Sequence, residues 1–520
     1  MQSFLSPEPT VKLDKFFPNP FKNVVATART CYSSKGVIKD EQIEPERWKQ
    51  LAKSLYEAGH HTTFQHAYFQ FILDNVSRHF IWSFLHSHPF YNSEQVSQRY
   101  VEIKPGMCAI PPLEGEALEV YQRTIDFQVE SYHKLIDLLK PLTADEYYKR
   151  FPGRRVYREK YTKDIKKKAQ EVARYVMPIA TFAYLYHTIS GITLLRYYRL
   201  CEQYDTPLEQ KIVIRKMVEE LLKIDPLYEI VLEGTLELDH TPEHDFLISH
   251  ADRFSHGGML ASKAFLQEFD ESLDGRVSKL IDYKRNNEKI LAQSVREVLG
   301  VTTELLNDED AIDLVLNPAK NKLLGESLVL TTHSKLARAL YHPSYTFRRK
   351  LSHAADSQDQ RHRMTPGSRP VLHAHYIDTP DYITPELVKQ DSRVQRCYDE
   401  IMARAWEGIT RLLRLGVNPE YAMYLLPNAV AVRFTESADL LNLHHKHVMR
   451  LCYNAQEEIW RASLDEATQI REVNPLIGKY LLPPCTVRAM AGMRPICPEG
   501  ARFCGEIVWK MDISEYERVI

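Results

Sequence analysis

Two stretches of this chain, roughly 270 residues apart, are written in the same pattern, and that repeat limits the architectures open to it. The first runs from Val11-Lys12-Leu13-Asp14-Lys15 to Lys22-Asn23-Val24-Val25-Ala26-Thr27-Ala28-Arg29. The second runs from Ser278-Lys279-Leu280-Ile281-Asp282-Tyr283 to Glu288-Lys289-Ile290-Leu291-Ala292-Gln293-Ser294-Val295-Arg296. Each reads as a short strand, a polar turn and an amphipathic helix. The period is too long for a solenoid and fits a tandem domain duplication. The order continues in both halves. Tyr68-Phe69-Gln70-Phe71-Ile72-Leu73 alternates, as does Ser344-Tyr345-Thr346-Phe347. Ala173-Arg174-Tyr175-Val176-Met177-Pro178 and Ala422-Met423-Tyr424-Leu425-Leu426-Pro427 read as proline-marked helical lead-ins. Long helices are expected around 180–202, 206–224 and 430–465. Many helices with a few antiparallel strands predict an α+β fold. The boundary falls in a His-rich segment, giving domains 1–235 and 275–520 joined by 236–274.

Composition excludes several classes. A net charge of −2 argues against a bulk nucleic-acid binder, which needs a concentrated basic face. The run from Lys149-Arg150 to Lys168 reads as a solvated helix face, with anion binding as the alternative. No apolar run is long enough to span a bilayer, and the N-terminus lacks a signal pattern, so a cytoplasmic protein is predicted. The eight cysteines are too scattered for a disulfide framework. Cys485, Cys497 and Cys504 could give three thiolates to zinc, but with no fourth ligand evident free thiols are favoured and no metal is assigned. His240, His244, His250 and His256 are spaced irregularly, as packing and loop residues are.

Two short segments carry the chemistry: Ser97-Gln98-Arg99-Tyr100, and Gln358-Asp359-Gln360-Arg361-His362-Arg363. Arginine's planar fork suits phosphate, Ser and backbone N–H groups complete such a cradle, and Gln both donates and accepts, as a uracil edge requires. Neither segment is a complete site alone.

The N-terminal half also carries Gly59-His60-His61-Thr62-Thr63-Phe64-Gln65-His66, and the C-terminal half carries Arg450 and Ala455-Gln456-Glu457-Glu458-Ile459. In this order the motifs resemble the flavin-dependent thymidylate synthases (ThyX), over both halves. The resemblance implies two tandem ThyX-like domains and C5 methylation of a pyrimidine nucleotide, dUMP foremost. FAD, methylenetetrahydrofolate and NADPH are the implied cofactor and cosubstrates. His60, Thr62, Arg361, His362 and Arg363 would contact flavin, and Ser97, Gln98, Arg99, Arg174, Gln358 and Arg361 the nucleotide. Arg450 would help ionise the pyrimidine N3.

The departures from the family pattern are complementary. Counted back from Ser97, its Arg-His-Arg falls on Ser87-His88-Pro89. In the second half the tail falls on Val371 and His373. Arg174 is matched by Met423, and Arg450 by Cys201. The family site lies between subunits of a homotetramer, so one composite site per pair of halves is expected, with a homodimer imitating the tetramer. Asp439 and Leu441, and Ser190 and Ile192, stand where the family has a flavin-binding Asn-x-Arg. A noncatalytic or flavin-free relative, or one acting on another pyrimidine, is therefore the alternative.

Overall fold

Apolar residues alternating with polar ones in Tyr68–Ser77 and Phe182–Ser190 make these segments strands with one buried face. With Thr10–Phe16 and Asn92–Gln95 they form an antiparallel sheet, β1 (Thr10–Phe16), β2 (Tyr68–Ser77), β3 (Asn92–Gln95) and β4 (Phe182–Ser190), in the order β1-β2-β4-β3. The second half repeats that order as β5-β6-β8-β7, from β5 (Ser278–Tyr283), β6 (Ser344–Ser352), β7 (Gly367–Ser368) and β8 (Ala431–Asp439). This computed structural model describes residues 3–202, 205–237, 241–250 and 258–520, so His240 and His256 lie outside the described residues. Among them no helix is long and apolar enough to cross a membrane.

The α+β class and the duplication hold, and two expected helices are corrected. Phe182–Ser190 and Ala431–Asp439 are β4 and β8, with helices at Gly191–Arg199 in the first stretch and at Leu440–Arg450 and Glu457–Val473 in the second. β4 alternates its aromatic and aliphatic side chains, and both strands lie at the centre of a sheet, where packing decides between strand and helix. Nor do the proline-marked segments enter helices: Arg174–Val176 is one 3-10 turn, and Pro419–Met423 a short helix that stops before the strand.

Two matching knots fix the register between the halves. Ser77 caps the helix Arg78–Leu85, accepting from Phe80 N–H, and its own N–H and hydroxyl both donate to Glu209 at 2.6 Å. Tyr424 of the other half donates to the same carboxyl. Ser352 likewise caps His353–Asp359 and bonds Glu458, which accepts from Tyr175 of the first half. Ser77, Tyr175 and Glu209 therefore correspond to Ser352, Tyr424 and Glu458. Each knot crosses from one half to the other.

The largest apolar core also crosses. It takes Tyr121, Tyr132 and Leu135 from the long helix Gly115–Arg150, and Tyr398, Trp406 and Ile409 from Ser392–Arg414. Smaller cores lie under each sheet. Between the two long helices Gly408 allows close approach, because a Cβ there would stand 2.5 Å from Thr124 Oγ1.

Candidate nucleotide site between the two halves

The turn after β3 sends Arg99 toward the second half. Ser97 Oγ accepts from Arg99 N–H at 3.3 Å, and the buried Arg78 steadies the preceding residues through Gln95 and the Val96 carbonyl. Arg99 Nε then donates to Glu171 at 2.8 Å, and Nη2 donates to the carbonyl of Asn454 at 2.9 Å. Arg450 ends the helix Leu440–Arg450, where its Nη2 donates to the Gln358 carbonyl at 2.8 Å. Arg99 and Arg450 line one cavity of about 640 Å³ together with Lys168, Glu171 and Asn454. That volume lies within the range of small-molecule sites.

The cavity is rich in positive charge. Burial works against ionised Glu171, yet Arg99, Lys168 and Arg174 hold its carboxyl down to about 2. Burial pushes the Lys168 ammonium down to about 8. Burial also lowers Arg450, with the charges of Arg361 and Arg99 adding to the effect and Asp359 opposing it. Asp164, Glu499 and Glu506 also line the cavity, against Arg99, Arg150, Arg154, Lys160, Lys167, Lys168, Arg450 and Arg502, so cations still outnumber carboxylates there.

The corresponding position on the other side shows the opposite. Glu171 lies four residues before Tyr175, and Glu420 four before Tyr424. With no matching arginines nearby, burial pushes Glu420 up to about 8. There Asp205, four residues after Cys201, accepts from Leu372 N–H at 2.8 Å. Cys201, in the place of Arg450, is fully buried.

The structure places the sequence-predicted residues unevenly. Ser97 shapes the turn. Gln98 turns away into the interior, where its Oε1 accepts from Asn428 at 3.1 Å. Arg174 is buried behind the cavity and donates to Gln456 Oε1 at 3.1 Å. The Gln358 side-chain oxygen is buried and lacks a partner. Arg361 reaches outward to Glu94 at 2.8 Å. His362 is held neutral by burial and by Arg450, and its buried Nε2 has no partner. Arg363 donates to the Pro89 carbonyl and to Asn92. Arg361, His362 and Arg363 line a separate hollow of about 190 Å³ with Asn442 and His445. His60 and Thr62 are exposed, around the turn His61–His66, and do not line it.

Three sequence readings change. The basic run is only partly a solvated face: Arg150, Arg154, Lys160, Lys167 and Lys168 line the large cavity, interleaved with Tyr147, Phe151 and Tyr161. That alternation of aromatic and basic residues was the available signal. The ungapped count to Ser87-His88-Pro89 is one residue out. Arg361 lies nine residues after its cap Ser352, and nine after Ser77 is His86, so His86-Ser87-His88 is the counterpart. Both arginines are absent either way. Asp439, at the first position of the family's Asn-x-Arg, is committed to capping the next helix, its carboxylate accepting from Asn442 N–H at 3.0 Å.

Cys485 has further thiols close to it. Burial, then the neighbouring Cys452, Cys504 and Cys497, push it up to about 12. Among the described residues no three His, Cys, Asp or Glu are grouped so as to hold a metal ion.

Two sheets of one topology, each with the same serine–glutamate knot, define a duplicated α+β protein with a cavity rich in positive charge between its copies. The family model described as "Thymidylate synthase complementing protein" matches residues 12–227 and again 279–476. The chain belongs to that family, twice over. Over 222 residues it is 28% identical to the flavin-dependent thymidylate synthase of Clostridium tetani, covering 42% of this chain and 83% of that protein. Over 154 residues it is 30% identical to that of Saccharolobus solfataricus, covering 28% and 57%. A solved structure, the UMP/dUMP methylase PolB from Streptomyces cacaoi bound with 5-Br dUMP, matches at 18% identity. It covers 43% of this chain and 94% of that one at a TM-score of 0.32.

Proposed function

We propose that this chain is a pyrimidine-nucleotide C5 methyltransferase of the flavin-dependent thymidylate synthase type. It acts on dUMP at one composite site, the cavity between its halves. The observation that carries this reading is that Arg99 from one half and Arg450 from the other line the same cavity. Arg99 and Lys168 supply charge for the phosphate. Arg450, with its guanidinium held by one carbonyl bond, faces the pyrimidine and stabilises the negative charge that develops on N3 when C5 is activated. Glu171 fixes Arg99 in place, offsets the charge of Lys168 and, held ionised, takes no proton from the substrate. The counterpart, with Glu420 raised by burial and Cys201 in the place of Arg450, leaves one site per chain.

The relatives' names make flavin their cofactor, and within a single chain the residues here do not build its pocket. The hollow at Arg361–Arg363 is below the roughly 300 Å³ at which ligand pockets begin, and His60 and Thr62 are not on it. When bound, flavin would supply the hydride in this reaction class. The same observation favours the second reading, a nucleotide-binding relative that works without flavin. The visible absorbance of the purified protein separates the two. The composite site is tested by titrating dUMP calorimetrically into wild type, Arg99→Ala and Arg450→Ala. Each substitution should weaken binding at least tenfold (roughly 1.4 kcal/mol or more). Unchanged affinity in either one refutes a shared site.

A further inference from the structure

Beneath Arg450 lies a cluster of buried charge that the other half lacks. Arg349, Asp359, Glu436, Lys446 and Glu466 are all essentially inaccessible to solvent. Arg349 pairs with Asp359, with Glu436 at 3.0 Å and with Glu466 at 3.2 Å. Lys446 pairs with Glu436 and stands 3.2 Å from Asp359. His447 Nε2 meets Glu466 at 3.0 Å.

The first half serves as an internal control. Register from the knots and sheets places Phe84 opposite Asp359, His187 opposite Glu436, Tyr197 opposite Lys446, Met217 opposite Glu466 and Leu73 opposite Arg349. There Phe84 packs on Tyr197 with ring centres 4.5 Å apart and on His187 at 5.0 Å. Leu73 and Met217 join the same apolar core. The fold therefore accepts an apolar filling at this place. Buried ion pairs are often no more stabilising than such a filling, so stability gives no reason for the charges.

Their arrangement gives one. Arg349 and Lys446 carry two positive charges against the three carboxylates, leaving one negative charge, and Arg450 is the next cation. Asp359 Oδ1 and Arg450 Nε are both buried, both lack a hydrogen-bond partner, and face each other at 3.6 Å. Arg369, the other nearby cation, is committed to Asp356 and stands 3.7 Å from Glu436. The half that keeps the charged cluster keeps Arg450; the half with the aromatic filling has Cys201.

We propose that Asp359, braced by Arg349 and Lys446, is a positioning residue that holds the Arg450 guanidinium at its angle into the cavity. Arg450's role toward the nucleotide rests on the function proposed above, whereas its being held by Asp359 does not. Asp359→Asn keeps the shape and removes the charge. Two readouts follow it. The rate at which phenylglyoxal modifies Arg450, read by peptide mass spectrometry without nucleotide, should rise about tenfold, while Arg99 is unaffected. The affinity for dUMP should fall about tenfold in the wild-type background and not at all in an Arg450→Gln background. An unchanged labelling rate at Arg450, or a loss of dUMP affinity that persists in Arg450→Gln, overturns the proposal. If wild type binds no dUMP while the labelling rate still rises, the nucleotide reading fails and the positioning stands. Should Asp359→Asn not fold, Asp359→Asn combined with Lys446→Met removes one charge of each sign, and the same labelling decides.

Discussion

Glu458 offers a sharp measurement of how the halves are joined. Burial pushes its carboxyl from an ordinary 4.5 up to about 7, although Ser352 and Tyr175 both donate to it. A carboxyl whose value is raised on folding stabilises the protein fully below its unfolded value, and that share is lost as pH rises through the folded one. The window for Glu458 is therefore pH 4.5 to about 7, and the share is about 3 kcal/mol. Glu458→Gln copies the protonated form and should remove this dependence. The assay is urea unfolding of both proteins across about pH 4 to about 8.5, comparing the difference between them so that Glu209, raised in the same way to about 7, cancels. Wild type should lose about 3 kcal/mol relative to Glu458→Gln over that range. If the two curves run parallel, Glu458 is ionised in the folded protein and the burial argument is wrong.

Because Lys168 titrates near 8, dUMP affinity should fall severalfold as pH rises from 7 to about 9, and Lys168→Arg should hold its affinity over that range in calorimetry. Gly408→Ala drives a methyl group into Thr124 and should lower stability by about 1–3 kcal/mol in thermal melts, with Thr124→Ala restoring most of it. Equilibrium binding should give one dUMP per chain. Cys201→Arg with His373→Arg should not raise that number, since Cys201 is fully buried and Asp205, four residues on, is already taken up by Leu372 N–H at 2.8 Å.

Local pattern carried much of the fold. The alternation in β2 and β6 and the repeated strand–turn–helix were legible because they depend on neighbours in sequence. β4 and β8 were not, since short apolar runs suit a helix or a central strand equally and the choice is made by flanking strands. In the site, Arg99 and Arg450 could be singled out by residue type and by resemblance. Glu171 could not: it lies among lysines, and what holds it ionised is an arginine 72 residues away in sequence. Gln98 shows the converse. It sits next to Arg99 yet faces the interior, because the turn at Ser97 sends successive side chains in different directions. The charged cluster under Arg450 escaped because its members are spread from Arg349 to Glu466 and only the fold collects them.

The knots and the shared core place both walls of the nucleotide cavity in one covalent chain. A site built between separate subunits empties on dilution, because its walls drift apart as the assembly dissociates. Here the second wall is always present at the local concentration set by the linkage, however dilute the protein. On the proposed function, nucleotide affinity is a property of a single molecule, independent of how many copies surround it.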